Sequence, residues 1–98
     1  MIKEELNKAI NMQEEFGNPF IVVYKPKNKN KIVEFDSDTA VFDIINDEVV
    51  FDFWDLEGFK VKMENIKSIV FEKFSEAMTI VHIKLKNSNT VMLHFMNN

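Results

Sequence analysis

Cysteine is absent from the 98 residues of this chain, and so is arginine. A chain without cysteine has no disulfide bond and no thiolate metal site. The planar guanidinium of arginine is the usual bidentate ligand of phosphates and guanine edges, so a nucleic-acid-binding protein without it would be unusual. The formal net charge of −4 argues in the same direction, because nucleic-acid-binding surfaces are basic.

Long apolar segments are also missing. No apolar run approaches the roughly 20 residues of a membrane-spanning helix, and the first ten residues, MIKEELNKAI, are charged where a signal peptide has an apolar core. We therefore expect a soluble, cytoplasmic protein. An apolar fraction of 46% with ten phenylalanines predicts a packed core, and the length predicts a single domain over residues 1–98.

The composition is biased toward residues that AT-rich codons encode. All twelve basic residues are lysine, and asparagine, isoleucine and phenylalanine are frequent. We infer that the gene comes from a low-GC bacterium or from one of its phages.

Residues 2–16 have the apolar spacing of an amphipathic helix, with Leu6, Ala9 and Ile10 near one face. Gly17 suits the left-handed residue that follows a helix, and Pro19 prevents the helix from continuing. From residue 20 onward the period changes to two, which is typical of strands. The predicted strands outside the central hairpin are 20–24, 32–35, 69–74, 79–86 and 90–96.

Three turns predict how the later strands pair. A two-residue turn at Asn46-Asp47 gives a self-consistent register with apolar pairs on one face. A three-residue loop at 56–58, with a left-handed glycine, and another at 87–89 give two further registers. The pairs predicted by the three turns are Phe42 with Phe51, Ile44 with Val49, Phe51 with Met63, Asp52 with Lys62, Trp54 with Lys60, Val81 with Phe95, Ile83 with Leu93 and His82 with His94.

These elements predict a mainly β (α+β) fold. An N-terminal amphipathic helix (1–17) is followed by about seven antiparallel strands in meander order over residues 20–96. So many strands in a short chain must curl to cover their core, so we expect a small barrel or a strongly bent sheet with the helix at one end.

The charge is concentrated in the middle of the chain. Residues 1–31, 32–59 and 60–98 carry net charges of +2, −9 and +3, and the middle segment holds no lysine. Carboxylates mixed with apolar and aromatic side chains are typical of protein-binding surfaces, and they attract a basic partner. We predict that this surface binds a protein through Asp43, Asp47, Glu48, Val50, Trp54 and Asp55.

The most specific version of this hypothesis is an inhibitor encoded by a phage or a mobile element. It would place carboxylates where phosphates normally lie, in the basic channel of a nucleic-acid-binding host protein. Part of the acidic segment has a simpler explanation, since Asp52 opposite Lys62 and Trp54 near Lys60 are ordinary pairs on a solvated sheet face.

Other functions have weaker signals. The segment DSDTAVFD lacks the glycine and the closing glutamate of a calcium loop, and Lys84 beside His82 and His94 would repel a zinc ion. The serines lie in predicted turns away from histidine, so we expect no enzymatic activity, no cofactor and no metal. Two alternatives stay open. One is a small-ligand site for a phosphate or nucleotide near the lysine-rich segment 25–31, and the other is a homo-oligomer formed through outward-facing Met92 and Met96.

Overall fold

The computed structural model describes residues 2–25, 31–35, 41–53 and 58–96, and for 31–35 it describes the backbone alone. These residues form one helix, eight strands and a short 3-10 helix. The elements are α1 (Ile2–Phe16), β1 (Phe20–Lys25), β2 (Lys31–Phe35), β3 (Val41–Ile45), β4 (Glu48–Asp52), β5 (Phe59–Lys62), the 3-10 helix (Met63–Asn65), β6 (Ile66–Ser75), β7 (Met78–Leu85) and β8 (Thr90–Met96).

Helix α1 begins and ends where the sequence predicts. Gly17 has a φ of 89°, and its N–H donates to the carbonyl oxygen of Gln13 at 3.0 Å. This left-handed residue terminates the helix with a backbone hydrogen bond. Leu6 and Ala9 are fully buried, and the helix packs against β3, β6 and β8.

The strands form two antiparallel sheets. Five strands pair in the order β2-β1-β8-β7-β6, and three pair in the order β3-β4-β5. The predicted mainly β, antiparallel fold is confirmed. The predicted meander order is wrong for β1, which lies between β2 and the last strand, β8. The described strands form no closed barrel, because the ladders end at β2, β6, β3 and β5.

Both sheets and the helix contribute to one buried core. Three phenylalanine rings form its centre: Phe42 stacks on Phe51 with centroids 5.8 Å apart, and Phe42 meets Phe95 edge-on at 6.4 Å. Because Phe42 and Phe51 belong to the three-stranded sheet and Phe95 to the other, these contacts join the two sheets. The buried cluster consists of Leu6, Ala9, Ile21, Phe42, Val49, Phe51, Val61, Ile66, Val81, Ile83, Val91, Leu93 and Phe95.

The hairpin of β3 and β4 has the predicted register, with Phe42 opposite Phe51 and Ile44 opposite Val49. The turn residues Asn46 and Asp47 have φ angles of 52° and 62°. Two consecutive left-handed residues are the signature of a type I′ turn, whose twist matches that of the paired strands.

The predicted register of β4 with β5 is wrong. Phe51 lies opposite Phe59, and not opposite Met63. The two rings stack with centroids 4.6 Å apart, which the predicted register would not allow. Met63 leaves the strand and begins the 3-10 helix.

Gly58 also has another role than predicted. Its φ is not left-handed, and a Cβ atom at this position would overlap the carbonyl oxygen of Phe51. Glycine is therefore required because the backbone passes close to β4, and not because of a turn conformation.

The predicted register of β7 with β8 is wrong by two residues. Val81 lies opposite Leu93, and Ile83 lies opposite Val91. The Leu85 N–H donates to the carbonyl oxygen of Asn89 at 2.9 Å, and Ser88 takes a left-handed φ of 76°. The three-residue loop is therefore 86–88, one residue earlier than predicted.

Candidate protein-binding face

The outer face of the three-stranded sheet brings together most of the predicted contact residues. Strand alternation buries Phe42, Val49 and Phe51 and turns the residues between them toward solvent. We call the outward residues of β3 and β4, together with the turn residue Asp47, the acidic face. It consists of Val41, Asp43, Ile45, Asp47, Glu48, Val50 and Asp52.

Carboxylates and apolar side chains are interleaved on the acidic face. Asp43 is opposite Val50, Val41 is opposite Asp52, and Ile45 is opposite Glu48. Val41 and Ile45 are 45% and 51% exposed, which is high for β-branched apolar side chains.

Asp43 has a local structural contact as well as an exposed position. Its carboxylate oxygen Oδ1 accepts a hydrogen bond from the N–H of Ile44 at 2.7 Å. This bond fixes the side chain against the edge of β3 and leaves the second carboxylate oxygen available for other contacts.

Lysines border the acidic face on one side. Lys62 lies opposite Glu48 and Lys60 lies opposite Val50. The prediction that Lys62 faces Asp52 is therefore wrong, because β5 is shifted along β4. Glu48, and not Asp52, is the carboxylate with a lysine directly across the sheet.

Two predicted contact residues, Trp54 and Asp55, lie outside the described residues. So do the turn predicted at 36–38 and the centre of the lysine-rich segment, 26–30. The other four predicted contact residues are described. Three of them, Asp43, Glu48 and Val50, lie on one face of the hairpin, and Asp47 lies in the turn at the end of that face.

Gln13 closes the outer edge of β3. Its side-chain amide donates to the carbonyl oxygen of Phe42 at 3.1 Å and accepts from the N–H of Phe42 at 3.0 Å. The side chain thus makes the two hydrogen bonds that another strand would make at this position. The sequence carries no signal for this contact, because the two residues are 29 positions apart.

The outer face of the five-stranded sheet is rich in apolar residues. Phe20, Val70 and Met96 are 38%, 43% and 40% exposed on it, and Met92 is half-buried. Helix α1 does not cover this face, because Leu6 and Ala9 join the buried cluster on the opposite side of the sheet.

The two histidines are not directly opposite each other, contrary to the prediction. His82 lies opposite Met92, and His94 lies opposite Ile80. The His82 Nε2 atom is 2.8 Å from a carboxylate oxygen of Glu72 on β6. Within the described residues, no group of three or more histidine, aspartate or glutamate side chains is placed to hold a metal ion.

None of the helices in the described part of the chain is long and apolar enough to cross a membrane. No protein-family model, no curated protein and no solved structure matches this chain.

Proposed function

We propose that this protein is a non-enzymatic binding module whose acidic face contacts a basic protein. The observation that supports the proposal is the exposure of Val41 and Ile45 among Asp43, Asp47 and Asp52. Apolar side chains supply contact area when they are buried in an interface, and the surrounding carboxylates select the partner.

The charge of the acidic face defines the class of partner. Its four carboxylates are Asp43, Asp47, Glu48 and Asp52, and of these Glu48 alone has a lysine directly opposite on β5. The field of such a surface accelerates encounter with a basic protein and disfavours an acidic one. In its most specific form, the partner is the nucleic-acid channel of a host protein, and the module is an inhibitor from a phage or mobile element.

Reversing three charges tests this proposal. The variant Asp43→Lys, Asp47→Lys, Asp52→Lys should lose at least about 90% of the captured partner, because several like charges then oppose the basic surface. The measurement is a tagged pull-down from a low-GC bacterial lysate, quantified by mass spectrometry beside the wild type.

A matched control separates the position of the charges from their number. The variant Glu14→Lys, Glu15→Lys, Glu76→Lys makes the same change in net charge at exposed sites that are not part of the acidic face. A basic protein retained by this control and lost by the first variant supports the proposal. Equal capture by both variants would show that the acidic face is not the binding site.

A second candidate function, self-association, is favoured by the outer face of the five-stranded sheet. At strand spacings of about 4.8 Å and rises of about 3.3 Å per residue, its four strands with described side chains span roughly 490 Å² in projection. A standard interface takes about 800 Å² from each partner. We therefore expect a weak dimer, with two such faces packed together.

Sedimentation equilibrium tests the dimer. The wild-type mass should rise with concentration, and the variant Val70→Glu, Met96→Glu should stay monomeric, because it buries charge in the interface. Ile45→Glu, an equally exposed substitution on the other sheet, should leave association unchanged. A wild-type mass that stays monomeric at every concentration would exclude this function.

A further inference from the structure

Strand β5 is an edge of the three-stranded sheet, and its hydrogen-bonding pattern shows which backbone groups face outward. In an antiparallel ladder, successive residues bond alternately to the strand on either side. The two-residue turn makes Ile45 and Glu48 a bonded pair, so Glu48 and Val50 bond to β3. Val49 and Phe51 therefore bond to β5, through Val61 and Phe59.

The remaining residues of β5 point their backbone groups away from the sheet. These are the N–H and C=O of Lys60 and the N–H of Lys62. The next residue confirms the alternation, because the Met63 N–H donates back to the Asp47 carbonyl oxygen at 3.0 Å. Within the described residues no strand pairs with this edge. The other edge of the same sheet, at β3, is closed by Gln13.

Two clefts of different chemistry flank this edge. On the inner side, a mainly apolar cleft of about 310 Å³ is lined by Val23, Phe59, Val61, Leu85 and Val91, together with Lys25 and Asn89. A second groove, of about 830 Å³, has Lys60, Lys62, Lys86, Glu48 and Glu64 in its wall, and it shares Val61 and Leu85 with the inner cleft.

The charges directly opposite an added strand are those of β5 itself. Lys60 and Lys62 would be its direct cross-strand neighbours, whereas Glu48 lies on β4, on the far side of Lys62. An aspartate or glutamate opposite each lysine would make a favourable cross-strand pair. The residue between them would point inward, beside Val61, into the apolar cleft.

We propose that the outer edge of β5 binds an extended segment of a partner protein as an added strand. The side chains of the partner segment alternate between acidic and apolar. Its acidic side chains lie beside Lys60 and Lys62, and an apolar side chain between them enters the inner cleft. Main-chain hydrogen bonds provide part of the affinity in such complexes, and pockets for alternate side chains provide specificity. This site adjoins the acidic face at Glu48, but the proposal does not depend on the function proposed for that face.

A short peptide tests the proposal directly. The probe is acetyl-Glu-Val-Glu-Val-Glu-amide, and the control is the same peptide with lysine in place of each glutamate. Titration followed by amide NMR should show saturable shifts centred on Phe59–Lys62, with the lysine peptide binding at least about tenfold more weakly. Shifts centred elsewhere, no binding, or equal affinity for both peptides would overturn the proposal.

Two variants at one residue separate backbone pairing from charge. Lys62 has a φ of −68°, which is the angle that proline adopts. Lys62→Pro removes the outward N–H on a sheet edge that tolerates proline, and Lys62→Gln removes the charge alone. We expect roughly twofold to fivefold weaker binding for Lys62→Gln and a further loss of at least about fivefold for Lys62→Pro. Equal affinity of the two variants would show that the added strand does not use this N–H.

A modified peptide makes the same test on the unchanged protein, in case Lys62→Pro does not fold. N-methylation of each glutamate keeps the charges and removes the N–H that would donate to the outward carbonyl oxygen of Lys60. Wild-type protein should then bind at least about tenfold more weakly. Undiminished binding of the methylated peptide would contradict strand addition.

Discussion

Replacing Phe51 by alanine is expected to lower the free energy of unfolding by about 3–5 kcal/mol, the usual cost of removing a buried phenylalanine. The ring is 1% exposed and stacks on both Phe42 and Phe59. Its removal leaves a cavity at the centre of the three-stranded sheet and deletes two aromatic contacts at once. A domain of this size has a stability of about 5–15 kcal/mol, so the loss is a large share of the total.

Thermal or urea unfolding followed by circular dichroism measures this effect. For a domain of about 100 residues, each kcal/mol shifts the melting temperature by roughly 4–8 °C, so the decrease should exceed about 12 °C. Phe74→Ala is the matched control, because Phe74 is 64% exposed and its loss should cost no more than about 0.5 kcal/mol at low micromolar concentration. Similar losses for the two variants would mean that Phe51 is not part of the core.

The parts of the fold that follow from local sequence were predicted well. The limits of α1 depend on the apolar spacing and on Gly17, which are features of neighbouring residues. The hairpin of β3 and β4 was equally predictable, because a two-residue turn leaves one register that buries a full apolar face.

The two registers that were predicted wrongly differ from the observed ones by even numbers of residues. An even shift keeps every side chain on its own face, so the apolar pattern fits both registers equally well. The register of β4 with β5 is the one that stacks Phe51 on Phe59, and the register of β7 with β8 is set by the conformation of the loop before Asn89, and the apolar pattern specifies neither. The pairing of β1 with β8 is likewise a contact between opposite ends of the chain.

The same distinction applies to the candidate sites. The acidic face follows from strand alternation, so Asp43, Glu48 and Val50 could be placed together from the sequence. That the outer edge of β5 is unpaired among the described strands could not be predicted, since it depends on which strands pair with which. The closing of the β3 edge by Gln13 could not be predicted either, because it consists of two hydrogen bonds between a helix and a strand far along the chain.

Gly58→Ala is expected to destabilise the protein by about 3 kcal/mol, at the upper end of what overpacking costs. The added methyl group would meet the carbonyl oxygen of Phe51, and this obstacle is backbone rather than a flexible side chain. By the ladder alternation, that carbonyl accepts the hydrogen bond from Phe59. Relieving the overlap therefore moves β5 away from β4.

Gly17→Ala is the control that separates steric overlap from backbone conformation. A methyl group at Gly17 has open space around it, and its cost arises from the φ of 89° alone, about 1–2 kcal/mol. Both substitutions restrict the unfolded chain in the same way, so the difference between them reports the overlap. The free energy of unfolding, measured by chemical denaturation, should be lower for Gly58→Ala than for Gly17→Ala. The reverse order would mean that the approach of residue 58 to β4 is not tight. Strand β5 carries Lys60 and Lys62, so displacing it in Gly58→Ala should also weaken binding of the acidic peptide. The packing of this one glycine would then affect the edge that we propose as a binding site.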